Sequence, residues 1–389
     1  MAGGRCPGRD VSDPVGPFES PEQRDLFALV EKICRDELDP NAAQYEEAGR
    51  FPDALVRRLG ELGLMGLAFP ERWGGGGQSY TFFLQVVERL ARSWLGVAES
   101  VHLQVLACHG VARFGGDDLR DELLPKMLGG RLLAGNCMSE PDAGSDLAAM
   151  STRAEPAEGH HLISGTKAWV SHAGVADLYN VYCRTGGAGL NGISCFLVDA
   201  ASEGLLPQAH ERKMGVRCLP TAQIVFDGVR VPDERMIGRR NRGMLVAAHV
   251  FDHGRLGISA CAVGLAQAAL DHATAYAKQR TQFGAPIISF QGVSFLLADM
   301  ATQIAAARAL LYAVAALKDR GAPFSAEAAK CKLFATDCAM RVTTDAVQVL
   351  GGYGYTQDFP VERWMREAKL LQILEGTNQI QRVAIAQAL

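Results

Sequence analysis

Glu375 stands out in this chain because its neighbours invite chemistry. The apolar residues Leu370, Leu371, Ile373 and Leu374 precede it. The turn Gly376-Thr377-Asn378 and then Gln379-Ile380-Gln381-Arg382 follow. A carboxylate among apolar residues, with no cation beside it in sequence, is placed to take a proton as a general base. Gly376 has no side chain, so a ligand can approach the backbone there. A structural reading competes. Thr377 or Asn378 can cap a helix starting near Gln379, and an acid ahead of a helix favours its dipole. The stretch alone leaves both readings open.

Other stretches concentrate polar or aromatic groups. Asn136-Cys137-Met138-Ser139-Glu140-Pro141-Asp142-Ala143-Gly144-Ser145-Asp146 is a small-residue loop. Its free N–H groups suit a polar ring edge or a phosphate, and equally an interdomain turn. Lys167-Ala168-Trp169-Val170-Ser171 reads as a strand. Residues two apart share a face, so Trp169 and Ser171 can address one flat ligand, though a strand Trp also serves as core. Asp252, His253, Gly254 and Arg255 follow Phe251; Arg255 by itself reads as solvated or ion-paired. Arg280-Thr281-Gln282-Phe283-Gly284, with Phe290-Gln291 beyond, offers a guanidinium suited to forked bonds with a pyrophosphate. Gln348-Val349-Leu350-Gly351-Gly352-Tyr353-Gly354-Tyr355 ends in glycines that either cap a helix or admit a close backbone.

The elements that must position these residues fall into three blocks of an α+β chain: an N-terminal helical domain over 20–130, a middle β-barrel or sandwich over 131–240, and a C-terminal four-helix bundle over 241–389. Residues 1–19, rich in Gly, Pro and charge, read as a disordered extension. Ser20-Pro21-Glu22-Gln23 is an N-cap with Pro at the first helical position. Helical stripes follow: Leu26, Val30 and Ile33; Leu55, Leu59 and Leu62; then Thr81 to Arg92, Glu99 to Phe114 and Asp117 to Leu128. Short apolar segments bounded by Gly, Pro and Asp are expected strands: His161 to Ile163, Ala168 to Val170, Leu178 to Cys183, Ile193 to Val198 and Gln223 to Phe226. Long helices are expected over Gly264 to Arg280, Phe290 to Leu317 (Phe295, Leu296, Met300 and Ile304 inward) and Ala326 to Leu350.

Composition narrows the function. The 389 residues carry 48% hydrophobic and 21% charged side chains and a net charge of −4, which favours neither nucleic acid nor an anionic membrane. No unbroken apolar run is long enough for a membrane span. The ten cysteines show no metal-ligand or disulfide spacing, so no metal is expected and a reducing compartment is.

The run Leu-Glu-Gly-Thr-Asn-Gln-Ile-Gln-Arg at Leu374–Arg382, with the stretches above in this order, resembles the acyl-CoA dehydrogenase family. The resemblance covers nearly the whole chain from about Pro21. It implies FAD as cofactor and α,β-dehydrogenation of an acyl-CoA. Glu375 would be the base that removes the α-proton, with hydride passing to the flavin. It implies cofactor contacts at Asn136, Cys137, Met138, Ser139, Ser145, Trp169, Val170, Ser171, Arg280, Phe283, Gln291, Gln348, Val349, Leu350, Gly351, Gly352, Thr377, Asn378 and Gln379. Substrate contacts are implied at Ser145, Asp252, His253, Gly254, Arg255 and Gly376. In one subset of the family the base precedes the matching Arg; here that position is Gly254, so the base falls to Glu375. Asp142 stands where the family commonly has Gly. Val181–Gly187, Gly192–Cys195, Lys332–Asp337 and Gln372–Gly376 are similar to the isobutyryl-CoA, short branched-chain branch, although Trp169-Val170 departs from its usual Phe-Ile. The family further implies an electron-transferring flavoprotein as partner and a homotetramer built as a dimer of dimers. The location implied is the cytoplasm of a bacterium or the mitochondrial matrix of a eukaryote. An oxidase passing electrons to oxygen, or a non-catalytic binding protein of the same fold, are the alternatives.

Overall fold

Ser20 caps the first helix, its hydroxyl accepting from the Gln23 N–H, and Pro21 occupies the first helical position. The computed structural model describes residue 18 and residues 20–389, so the expected N-terminal extension lies almost wholly outside the described residues. The N-terminal block holds α1 (Pro21–Ile33), α2 (Ala42–Ala48), α3 (Asp53–Glu61), α4 (Tyr80–Ser93), α5 (Leu95–Phe114) and α6 (Asp117–Leu128). α3 buries Val56 and Leu59. Leu62 falls beyond its end and is exposed, because the chain turns away at Gly63 with φ of +83°. α5 is buried along most of its length. It packs against α4, α6, α7 (Gly243–Gln279) and β1 (Ala134–Cys137), so no face is left for water.

The middle block has β2 (Arg153–Ala157), β3 (His160–Ser171), β4 (Leu178–Arg184), β5 (Ile193–Asp199), β6 (Leu205–Pro207), β7 (Thr221–Pro232) and β8 (Met236–Ile237). The expected barrel or sandwich is one continuous sheet of eight strands, ordered β6-β7-β3-β2-β4-β5-β8, with β1 parallel to β4. The segments at His161 and Ala168 are one strand. β3 runs through both, with pairing shifts against β7 between Ile163 and Gly165 and between Lys167 and Val170. Cys137, Ile163, Val170, Tyr179, Val181, Phe196, Ile224 and Phe226 form the core of this sheet.

The C-terminal block starts at α7, whose 37 residues absorb the helix expected from Gly264. It packs on α4, α5, α8 (Gln291–Asp319) and α9 (Ser325–Leu350). A short hairpin, β9 (Thr281–Gln282) with β10 (Ala285–Pro286), joins α7 to α8. α10 (Val361–Leu371) and α11 (Asn378–Gln387) are short, so the expected four-helix bundle has three long members. α8 buries Met300, Ile304, Leu311 and Val314. Leu297 rather than Phe295 begins its inward stripe, and Phe295 is exposed. α7 and α8 are each long and apolar enough to cross a membrane by length and composition. α7 is instead the buried centre of the fold, while the outer face of α8 is uncovered in a single chain.

Candidate active site

Glu375 lies in the connection between α10 and α11 with φ of +52°, and Gly376 follows at +89°. A left-handed conformation is costly for a residue with a Cβ, so the surroundings must hold it. They do so from three sides. Lys332 on α9 donates to the Gly376 carbonyl (3.0 Å) and to Asn378 Oδ1 (2.9 Å). Gln381 Nε2 donates to the same carbonyl at 2.8 Å. Thr377 caps α11 through the Ile380 N–H. The capping reading of this stretch therefore holds at Thr377. The Glu375 carboxylate turns into the seam between α5 and α7. A Cβ on Gly254 would overlap its Oε2, and His102 Nε2 on α5 lies 3.3 Å from its Oε1. Both carboxylate oxygens are buried, and among the described residues neither has a hydrogen-bond partner.

The sequence puts no cation beside Glu375, but the fold brings two nearby. Burial pushes Lys332 down to about 8, with Glu375 and Asp337 pulling the other way. Burial likewise lowers Arg255, opposed by Asp252 and Glu375. Arg255 is ion-paired to Asp252 at 2.9 Å, and Ser325 Oγ donates to the same Asp252 oxygen.

The small-residue loop after β1 is tied to the same seam. Asn180 Nδ2 donates to Asn136 Oδ1 and to the Ala107 carbonyl, both at 3.1 Å; Ala107 follows Leu106, which borders Gly254. The Ser139 carbonyl accepts from the Ala168 N–H at 2.8 Å, setting Met138 and Ser139 beside Trp169. Lys167, fully buried, bonds the Met138 carbonyl (3.0 Å) and Glu140 (2.9 Å). Burial would raise Glu140, but Lys167, Thr152 and Ser151 outweigh it and hold the acid down to about 2. Trp169 is 64% exposed at φ of +59°, within a pairing irregularity of β3. This corrects the expected shared face with Ser171, since Trp169 lies inside the irregularity between Lys167 and Val170 and regular pairing resumes only at Val170. The result is a bare indole standing off the sheet, with the half-buried hydroxyl residues Ser139 and Ser171 near it in the fold. An aromatic plane with polar donors at its margin fits a flat heteroaromatic ring such as a flavin.

Three family models cover the chain: the acyl-CoA dehydrogenase N-terminal domain over residues 20–131, the middle domain over 135–229 and the C-terminal domain over 241–389. The probable acyl-CoA dehydrogenase FadE25 of Mycobacterium tuberculosis is 41% identical over 377 residues, covering 96% of each chain. The chain belongs to the acyl-CoA dehydrogenase family. Among solved structures, butyryl-CoA dehydrogenase from Megasphaera elsdenii superposes with a TM-score of 0.93 at 37% identity, over 96% of this chain and 99% of that one. A chain in the structure of the electron transferring flavoprotein of Acidaminococcus fermentans matches with a TM-score of 0.93 at 36% identity, over 95% of this chain and 98% of that one.

Not every residue expected from the acyl-CoA dehydrogenase resemblance faces Glu375 or Trp169. The His253 ring is buried against His109, with centroids 4.1 Å apart, and its carbonyl accepts from Tyr80 OH. The His253 side chain thus packs within the fold, one step round the helix from Gly254. The Asn378 side chain is committed to Lys332, Thr336 and Asp337, so its amide is unavailable to a cofactor. Cys137, Val170, Val349 and Leu350 turn their side chains into the core and can offer only backbone outward. Gln379 and Ser145 are exposed.

Arg280, Phe283, Gln291 and Gln348 to Gly352 gather at the far end of α7. The Arg280 guanidinium lies 5.7 Å from the Tyr353 ring centroid, and the exposed Phe283 ring meets Phe290 edge-on. By the helical rise per residue, Arg280 is about 39 Å along α7 from Gly254. Within one chain these two groups cannot share one small molecule. A cavity of about 1320 Å³ lies elsewhere again, among Arg89, Arg217, His272 and Trp364; the buried unpartnered acid, not cavity size, marks the site.

Three residues escaped sequence reading: His102, Lys332 and Lys167. Their partners are 273, 44 and 27 positions away in the chain, so local pattern is silent. Only Lys332 left a signal, as a lysine within the buried stripe Ala328, Cys331 and Ala335 of α9.

Proposed function

We propose that the chain removes two hydrogens from the Cα–Cβ bond of a short or branched acyl-CoA, with Glu375 taking the α-proton. The observation that carries this reading is the Glu375 carboxylate: buried, unpartnered at both oxygens and set against a helix cut away at Gly254. Among the described residues nothing accepts from the Glu375 N–H. That donor is free to bind a thioester carbonyl and stabilise the enolate charge that develops as the proton leaves. Arg255 and Lys332 add positive charge close enough to interact with Glu375.

As a member of the acyl-CoA dehydrogenase family the chain is an FAD-dependent oxidoreductase. Trp169, with Met138, Ser139 and Ser171, would hold the ring. Arg280, Phe283, Gln291 and the Gly351-Gly352 turn would hold the phosphates and adenosine, from a second copy of the chain. FAD, when bound, would supply the acceptor for the hydride from Cβ. The separation along α7 and the uncovered face of α8 support a homo-oligomer, a dimer of dimers on the family resemblance. Short chain length is favoured by likeness to the butyryl-CoA dehydrogenase, branching by the isobutyryl-type residues. An electron-transferring flavoprotein is the proposed acceptor, in keeping with the match to the Acidaminococcus fermentans structure.

The test is anaerobic titration of purified holoenzyme with butyryl-CoA and isobutyryl-CoA while following flavin absorption. Wild type should bleach, with isobutyryl-CoA effective at lower concentration if the pocket is branched-chain. Glu375→Gln should stay yellow and folded and slow bleaching by about 10³-fold. Bleaching at the wild-type rate by Glu375→Gln would remove Glu375 as the base.

A further inference from the structure

Helix α7 carries a glycine at two successive positions on one face, Gly254 and Gly257. Residues three apart in a helix are surface neighbours, so together they form one notch. Each helical glycine costs about 1 kcal/mol against alanine, so a pair at the centre of the longest helix needs a reason. The reason is on the facing elements. A Cβ on Gly254 would overlap Glu375 Oε2, and a Cβ on Gly257 would overlap the His102 ring at Cε1 and Nδ1. The notch thus holds a carboxylate and an imidazole side by side, with His102 Nε2 3.3 Å from Glu375 Oε1.

His102 is fully buried, and among the described residues neither ring nitrogen has a hydrogen-bond partner. A buried polar ring left unpaired is costly, and its Nε2 has one group within reach, the carboxyl of Glu375. Among the described residues no group bonds Nδ1 to fix the tautomer. With the proton on Nε2 the ring donates to the carboxylate; with the proton on Nδ1 the ring accepts from the carboxylic acid. One side chain can therefore match both states that a base passes through.

We propose that His102 is a positioning residue for the base: held in the Gly254–Gly257 notch, its Nε2 keeps the Glu375 carboxyl aligned both before and after it takes a proton. The proposal rests on Glu375 being the base. The other titratable or charged groups around the pair are Tyr80 on α4, Glu99 and His109 on α5, His253, Arg255 and Cys261 on α7, and Lys332 on α9. None of them replaces the contact made by His102.

The test uses three holoenzyme variants, with flavin bleaching by butyryl-CoA measured under anaerobic single-turnover conditions across pH. His102→Leu removes the polar nitrogen. Gly257→Ala keeps the imidazole but pushes it out of the notch. His102→Gln restores a side chain that can turn either an N–H or an oxygen toward the carboxyl. The expected result is a bleaching rate at least about tenfold lower for His102→Leu and Gly257→Ala, with a displaced pH midpoint and little change in the butyryl-CoA concentration for half-effect. His102→Gln should recover most of the rate and the wild-type midpoint. A midpoint unmoved in Gly257→Ala, or in His102→Leu where that variant folds, overturns the role of His102. That outcome is separate from failure of the parent reading, which shows as unimpaired bleaching in Glu375→Gln.

Discussion

Gly254 and Glu375 occupy each other's space: the helix lacks a Cβ at the position where the carboxylate lies. Gly254→Ala should therefore separate stability from activity. Alanine favours the helix by about 1 kcal/mol, which offsets part of the local crowding. The displaced carboxylate should lose about 10²-fold in rate, since a 1 Å misplacement of a reacting group costs about that much. Melting temperature and the rate of flavin bleaching by butyryl-CoA, measured on the same sample, check this. A wild-type rate would mean that the carboxylate position is not critical.

Lys332 supports the left-handed turn from below through Gly376 and Asn378. Lys332→Met keeps the length but removes two charge-assisted hydrogen bonds, leaving the Gly376 carbonyl to Gln381 and Asn378 Oδ1 to Thr336. The cost is about 1–3 kcal/mol, read as a lower urea midpoint. Because the turn carries Glu375, the bleaching rate of the folded fraction should also fall, by at least about tenfold. Loss of stability with an unchanged rate would limit Lys332 to a scaffolding role.

Trp169 is the exposed aromatic plane. Trp169→Ala should leave the melting temperature of the apoprotein nearly unchanged, because the indole makes few buried contacts. FAD binding should weaken roughly tenfold if the ring stacks on it. Fluorescence titration of apoprotein with FAD decides; equal affinity in the variant would place the flavin elsewhere.

Two buried acids give stability a pH slope. Burial pushes Glu99 and Glu367 each up to about 8 from an ordinary 4.5, against Lys213 for the first and Arg363 for the second. Between those values the folded chain keeps protons that the unfolded chain has released. Stability therefore falls as pH rises through that window. Below 6.5 the buried neutral His109, His172 and His253 act in the opposite sense, since the unfolded chain takes up protons there that the folded chain does not. The clean interval is pH 6.5 to about 8, where melting temperature should decline with rising pH. The double variant Glu99→Gln, Glu367→Gln, which mimics the protonated acids, should flatten that decline; an unchanged slope would assign it to other groups.

Local sequence determined several helix boundaries and singled out Glu375. Ser20, Thr377 and the apolar spacing of Asp117 to Leu128 act within a few residues, so their helices could be read directly. Glu375 was legible because an acid between an apolar run and a Gly-Thr-Asn turn is a local anomaly. Tertiary structure alone decided what that acid meets. α7 and α5 bring Gly254, Gly257 and His102 to Glu375 from 118 to 273 positions away, and no periodicity encodes such a meeting. The same holds for Asn378 and His253, which sit in the expected stretches while their side chains pair with α9 and α5. Position along a chain sets backbone conformation through short-range forces. Which buried polar groups find partners depends on how distant helices pack, because desolvation is settled only in the closed fold.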